Sequence, residues 1–272
     1  MIMRVASINL NGIRAAHRRG FLDWIDQASP DVLLMQEVRA EPSITADILG
    51  GAWDLVAEPS RIKGRAGVAI AVRSGAVEIA SIRLGLDDAE TDADSGRWAE
   101  AHARMGEGET IRLVSAYFHS GEKDSAKQDA KMAHLPRIGA RMSELYTDAE
   151  SGVQSLVCGD FNIVRSRADI KNWTPNHNKR AGVLDEEIVF LNDWVDAGWR
   201  DVVRDLAGDV QGPYSWWSWR GKAFDNDTGW RIDYHYATPR LADAALDYSI
   251  GRADSYDRRF SDHAPVIVDY RL

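Results

Sequence analysis

The chain has 272 residues, 44% of them hydrophobic and 28% charged, with 22 glycines and 8 prolines, a composition too apolar for a disordered polymer and sufficient for a sizeable core. No apolar run approaches the ~20 residues that cross a bilayer, and the opening MIMRVASINLNG turns polar too soon for a signal peptide, so a soluble, cytoplasmic protein is expected. The net charge of −9, from 33 Lys and Arg against 42 Asp and Glu, gives bulk electrostatics no reason to favour nucleic acid, and the single cysteine, Cys158, excludes an intramolecular disulfide or a zinc–cysteine cluster.

Any metal must therefore be held mainly by oxygen and imidazole. At ~150 residues per domain the length allows one large domain or two small ones. No internal repeat or linker divides the chain, so one domain over 1–272 is expected.

Apolar runs rich in β-branched residues and bounded by turn residues predict strands at Arg4–Asn9, Val32–Gln36, Val68–Val72, Thr110–Tyr117, Leu156–Gly159, Trp230–Ala237 and Ala264–Tyr270. Helical spacing occurs in Phe21-Leu22-Trp24-Ile25, in Leu135-Ile138-Met142-Leu145, where Pro136 marks a start or a kink, and in Leu184-Ile188-Leu191-Val195. Many strands, few helices and no strict βαβ repeat after the first unit predict an α+β sandwich with helices packed outside two sheets. The Asp-rich stretch Gly85–Gly96 is expected to be a surface excursion.

Polar residues recur at strand ends, where a side chain can leave the sheet and reach a shared cleft: Asn9, Gln36-Glu37, Tyr117, Asp160-Phe161-Asn162, Asp233 and Ser261-Asp262-His263. Each has an ordinary structural explanation. Glu37 serves equally as a solvated or capping carboxylate, Asn9 and Asn11 as turn formers, Asp160 and Asn162 as an Asx turn, and Tyr117 as a core aromatic with a wet tip. Short basic clusters at Arg14/Arg18/Arg19, Arg61/Lys63/Arg65, Arg165/Arg167/Lys171, Lys179/Arg180, Arg220/Lys222 and Arg258/Arg259 are solvated surface unless they converge on one face.

The ordered set Asn9-Leu10-Asn11-Gly12-Ile13-Arg14, Leu34-Met35-Gln36-Glu37, Ala116-Tyr117-Phe118, Gly159-Asp160-Phe161-Asn162, Gly229-Trp230-Arg231-Ile232-Asp233-Tyr234 and Ser261-Asp262-His263-Ala264-Pro265-Val266 spans essentially the whole chain. It resembles the endonuclease/exonuclease/phosphatase superfamily, and within it the exonuclease III and apurinic/apyrimidinic (AP) endonuclease branch. The resemblance implies a four-layered α/β sandwich of two facing mixed sheets flanked by helices. It also implies Mg²⁺-dependent hydrolysis, with Mn²⁺ as a substitute, of the phosphodiester 5′ to abasic sites in double-stranded DNA, together with processing of blocked or recessed 3′ ends. A monomer associated with the nucleoid through DNA is the corresponding expectation.

By the same resemblance, Glu37 is the first metal ligand, supported by Asn9 and Asp262, with Asp160, Asn162 and His263 able to share in ion binding; hard oxygen ligands suit Mg²⁺. Asp160 orients or deprotonates the attacking water, Asn162 positions it, His263 donates to the phosphate, Asp233 orients His263, and Tyr117 contacts the phosphate or assists the leaving oxygen. Arg14 is a substrate contact, while Trp216, Trp230 and Ile232 line a small apolar pocket for a flipped-out baseless sugar; the structural alternative for the aromatic run is a hydrophobic seam. Two features depart from the branch. His119-Ser120 replace the proline and amide that commonly follow Tyr117-Phe118, and the loop Asn172–Gly182 with His177 lies near the expected DNA path, favouring terminal 3′ work if it obstructs the sugar. The rival readings are a phosphatase of inositol phosphates, a sphingomyelinase, a nonspecific deoxyribonuclease, or a noncatalytic binding module on the same fold.

Overall fold

A computed structural model describes residues 1–272. Along the chain run β1 (Ile2–Asn9), α1 (Ile13–Arg18), α2 (Phe21–Ala28), β2 (Val32–Gln36), α3 (Pro42–Leu49), β3 (Trp53–Glu58), β4 (Val68–Arg73), β5 (Val77–Leu84), β6 (Trp98–Met105) and β7 (Ile111–Tyr117). Then follow α4 (Ala126–Glu150), β8 (Ser155–Asp160), α5 (Trp173–Asn176), α6 (Asp185–Asp196), β9 (Arg200–Asp201), α7 (Val202–Ala207), β10 (Asp233–Ala237), α8 (Pro239–Asp243), β11 (Ala245–Ile250) and β12 (Val266–Arg271). No helix is long and apolar enough to cross a membrane.

The strands form two mixed sheets, ordered β11-β12-β1-β2-β4-β3 and β5-β6-β7-β8-β10-β9. Val5, Leu34, Ile70, Leu113, Leu156 and Val268 fill the space between their inner faces. The outer face of the first sheet carries Ile8 and Leu33 against Ile13, Phe21 and Ile25 of α1 and α2. On the second, Val114 and Val157 meet Leu135, Ile138 and Leu145 of α4 and Leu191 and Trp194 of α6. The result is the expected four-layered sandwich, because every sheet has two apolar faces to cover.

All seven predicted strands occur, with three shortened at their starts, β7 by the single residue Thr110. Trp230 lies outside β10 in isolated bridges to Ile170 and Trp216, and β12 begins at Val266 rather than Ala264. Two expectations are corrected. The connection β7–α4–β8 joins parallel strands through a helix, so there is a second βαβ unit beyond the first, β1 to β2. Pro136 does not start its helix: α4 begins at Ala126, with Ser125 capping by accepting from the Lys127 amide, and the buried row Leu135, Ile138, Met142 and Leu145 holds it together despite a local cost of about 3 kcal/mol.

Gly85–Gly96 is also more than an excursion over the surface. Leu86, Asp94 and Ser95 are buried, and Arg137 of α4 binds both Asp87 (2.6 Å) and Asp94 (2.9 Å). At Gly96, with φ +70°, any Cβ would stand 2.5 Å from the Ser60 amide nitrogen, so the two backbones pack directly.

The direction of the strands decides where the polar ends go. β1 and β2 are parallel and β12 runs against β1, which places Asn9, Glu37 and His263 at one rim of the first sheet. In the second, Tyr117 pairs with Asp160 across parallel β7 and β8, and Asp233 pairs with Asp160 across antiparallel β10. Behind this rim, fully buried Arg231 binds Asp169 (2.6 Å) and takes both oxygens of Asp201 (2.7 and 2.8 Å), anchoring the segment that leads into Asp233.

Removing one partner of such a buried network leaves uncompensated charge. Arg231→Met should destabilise the fold by about 3 kcal/mol in urea unfolding, and an unchanged midpoint would show the network to be dispensable. His235 offers a second check: burial holds this imidazole down at about 4, below its ordinary value in the unfolded chain. The unfolded state therefore binds the extra proton first, and the associated stability, complete above pH ~6.5, is lost as pH falls toward 4. His235→Phe should flatten that part of a plot of stability against pH.

Candidate active site

Asn9 is the point at which the two rims join. Its side-chain oxygen accepts from the Asn11 amide (2.9 Å), which turns the Nδ2 toward the cleft, where it donates to Glu37 (3.0 Å) and to Asp160 (2.8 Å). In this arrangement Asn9 offers the cleft a donor rather than the ligand oxygen expected of it. Ser261 donates to the Asn9 carbonyl at 2.6 Å, so the end of β1 is also tied to the segment preceding β12.

Glu37 projects from a left-handed backbone, φ +46°, an uncommon conformation for a residue with a long side chain. One carboxylate oxygen accepts from Asn9 and from the Tyr117 hydroxyl (2.6 Å), and the other pairs with Arg39. Burial, with the Glu37 and Asp160 carboxylates nearby, raises the Tyr117 phenol well above its ordinary value, so it remains a proton donor. Arg97 lies over the same ring, 4.8 Å from its centre.

Asp160 is 1% exposed. Gly159 makes its position possible: at φ +149°, a Cβ would fall 1.8 Å from the Ala116 carbonyl oxygen of β7. The Asn162 amide donates to one Asp160 oxygen (2.9 Å), and Asn162 Nδ2 reaches the other (3.2 Å) and the Phe118 carbonyl (3.0 Å). Burial pushes the Asp160 carboxyl up to about 7; His263 opposes the rise, while Asp233 and Glu37 add to it.

His263 places Nδ1 2.9 Å from Asp233 and Nε2 3.7 Å from Asp160. Desolvation disfavours its cation, but Asp233 and then Asp160 outweigh it and raise the imidazole to about 10. Asp233 is fixed by Ser215, whose hydroxyl donates at 2.6 Å and accepts from the Asp233 amide at 3.2 Å. Asp262 accepts from Asn11 Nδ2 (2.8 Å) and Trp216 Nε1 (3.1 Å).

Eight of the predicted residues, Asn9, Glu37, Tyr117, Asp160, Asn162, Asp233, Asp262 and His263, thus stand in one hydrogen-bonded cluster. Trp216 joins it through Asp262 and meets Trp230 edge to face at 5.4 Å, while Ile232 is buried beside both rings in a small apolar group with Val164, Ile170 and Val183. Arg14 lies apart, exposed on α1. Motif reading missed Asn11, Arg39, Arg97, Ser215 and Ser261 as contributors. Asn11 and Ser261 sit inside the recognised motifs and were available; Ser215 and Arg97 become relevant only when distant segments meet.

Arg18 and Arg19 of the first basic cluster line an open groove beside the cleft with Trp219, Tyr256 and Asp257, whereas Arg259 at its edge is buried and donates to the Trp217 carbonyl (2.9 Å). Arg259 lies 4.0 Å above the Trp219 ring and Arg19 5.3 Å from it. Arg165 does not contribute, since it is turned inward to Asp201. In the Asn172–Gly182 loop, Trp173 stacks on His177 at 4.2 Å and His177 binds Asp185.

Buried carboxylates with an imidazole, all at the end of a two-sheet sandwich, match a known pattern: the endonuclease/exonuclease/phosphatase family model fits residues 6–263. The chain belongs to that family. Its similarities fall in the exonuclease III and AP endonuclease branch: it is 29% identical to the exodeoxyribonuclease of Bacillus subtilis, over 97% of this chain and 98% of that protein. It is 28% identical to the DNA repair nuclease APEX1 of Danio rerio, over 98% of this chain and 81% of that one. The solved AP endonuclease of Archaeoglobus fulgidus superimposes with a TM-score of 0.82 at 25% identity, covering 99% of this chain and all of the other.

The donor set suits a divalent cation. Glu37 and Asp160 share the Asn9 bridge, so hard carboxylate oxygens converge at the cleft. In metal-free protein the His263 ring should remain protonated until pH approaches 10, and Asp233→Asn should bring that transition down by removing the carboxylate that favours the cation. Imidazole proton shifts in an NMR titration check this; a parent transition near 6.5 would refute the coupling.

Proposed function

We propose that the protein is a Mg²⁺-dependent DNA repair nuclease that hydrolyses the phosphodiester 5′ to an abasic site, leaves a 3′-hydroxyl, and also trims 3′ ends. The observation that carries the reading is the buried Asp160, held between two sheets with an acceptor oxygen near the Nε2 of a charged His263. The named relatives supply the DNA substrate class: one is an exodeoxyribonuclease and another an AP endonuclease. The working unit is the single domain 1–272, acting as a monomer on nucleoid DNA in the cytoplasm.

Asp160, raised toward neutrality, accepts the proton of the attacking water, and Asn162 holds that water in line with the phosphorus. His263, kept cationic by Asp233, donates to a non-bridging phosphate oxygen as charge builds there. Tyr117 stays protonated and presents its hydroxyl beside the phosphate and the departing O3′. As the P–O3′ bond breaks, the departing O3′ takes a proton from solvent water and leaves as the 3′-hydroxyl. Glu37, with Asp262 and Asp160, would hold the ion, which supplies Lewis-acid stabilisation of the phosphate. The exposed Arg18 and Arg19 offer the duplex backbone a local positive contact that the net charge conceals.

Trp216 and Trp230 form the wall against which a baseless sugar would rest, with Ile232 behind them. A labelled duplex carrying a central abasic analogue should be cut 5′ to the lesion with Mg²⁺ and left intact with EDTA. Release of terminal nucleotides or a 3′-phosphate without incision would confine the activity to ends, and no Mg²⁺-dependent product would overturn the proposal. Asp160→Asn should lower turnover by at least a thousandfold while DNA binding persists, whereas Glu37→Gln should raise the Mg²⁺ concentration required. Binding should weaken with salt as counterions are displaced, and Arg18→Ala with Arg19→Ala should make that dependence shallower.

A further inference from the structure

Beyond the cleft, on the outer side of β7, lies a second group of ligand-type residues that the proposed reaction does not use. Asp94 ends the Gly85–Gly96 segment, His119 follows β7, and His134 lies on α4; one ligand atom from each falls within 4.8 Å of the other two. His119 Nε2 is 2.8 Å from Asp94 Oδ1, while the other Asp94 oxygen accepts from Arg137 (2.9 Å) and Thr91 (2.9 Å). The two imidazoles meet edge to face at 5.2 Å.

His134 is the informative member. It is 3% exposed, and neither ring nitrogen has a hydrogen-bond partner, although a buried polar group left unmet costs about 1–3 kcal/mol. We infer that Asp94, His119 and His134 supply three ligands to a divalent transition-metal ion of the zinc type, a water taking the fourth position, separate from the ion of the cleft.

Two imidazoles and one carboxylate are a ligand set that borderline-soft cations prefer and that Mg²⁺ does not. Zinc with bonds of about 2.0–2.1 Å sets its tetrahedral ligands about 3.3 Å apart, so Asp94 and His119 need open by only about half an ångström while His134 moves in. Burial holds His119 down at about 4 and His134 at about 3, leaving both rings neutral and able to ligate at neutral pH. Arg137 and Thr91 already orient Asp94 through its other oxygen, as outer partners of metal ligands do. The ion would clip three segments distant in sequence and fix the approach to Arg97, which lies over Tyr117.

The full chain, stripped of metal and dialysed, is titrated with Zn²⁺ in excess Mg²⁺ by calorimetry and then with Co²⁺ by visible absorption. The expected result is one ion per chain, with affinity retained in Glu37→Gln and reduced at least tenfold in His134→Leu and in Asp94→Asn, and with a cobalt d–d band lost from the same two variants. If His134→Leu does not fold, Asp94→Asn and the parent spectrum decide. Absence of binding by the parent, equal affinity in the folded ligand variants, or loss in Glu37→Gln alone would overturn the site, the last by placing the ion in the cleft.

Discussion

The Nδ2 of Asn9 joins carboxylates from two different sheets, Glu37 at 3.0 Å and Asp160 at 2.8 Å. Bringing two acids together inside a protein is unfavourable unless donors stand between them. Here the donors are Asn9, Tyr117, Arg39 and the charged His263, and each reaches the rim from a different strand end or turn. The sandwich therefore does more than bury apolar surface. Its strand directions aim six polar ends at one edge, and the charge held there requires that edge to remain assembled.

Small residues set the tolerances of this assembly. Gly159 lets β8 approach Ala116 at a distance no side chain permits, and Gly182 passes so close to Asn162 that a Cβ would stand 2.8 Å from its carbonyl oxygen. Glu37 and Asn162 both occupy left-handed backbone, at φ +46° and +52°. Strain of this kind persists only where surrounding contacts determine it, and around these two residues those contacts are the hydrogen bonds of the cleft itself. Stability and chemistry here rest on the same bonds.

Behind the reactive edge, further charged networks hold the loops that shape it. Arg231 with Asp169 and Asp201 anchors the entry to Asp233, and Arg137 with Asp87 and Asp94 fastens the segment leading to Arg97. Both networks connect residues far apart in sequence. An acidic chain can still present a basic patch at Arg18 and Arg19, because local charge depends on which side chains the fold leaves exposed together and not on the net sum.

By itself the sequence determined the strands with continuous apolar runs, the layered class, and the polar residues at strand ends, because alternation and turn chemistry are local properties and six short motifs in order are specific. The strand Trp98–Met105 alternates, but with alanines in place of β-branched residues on one face and Glu100, His102 and Arg104 on the other, so it lacks the β-rich apolar run of the others; Glu100 is buried there only because Arg141 and the Trp98 indole satisfy it. Tertiary structure alone decided that Asn9 points a donor into the cleft, that Ser215 fixes Asp233, and that Asp94, His119 and His134 meet. Each of those facts depends on the spatial separation of groups carried by different segments of the chain, and hydrogen bonding and ligation act only over a few ångströms.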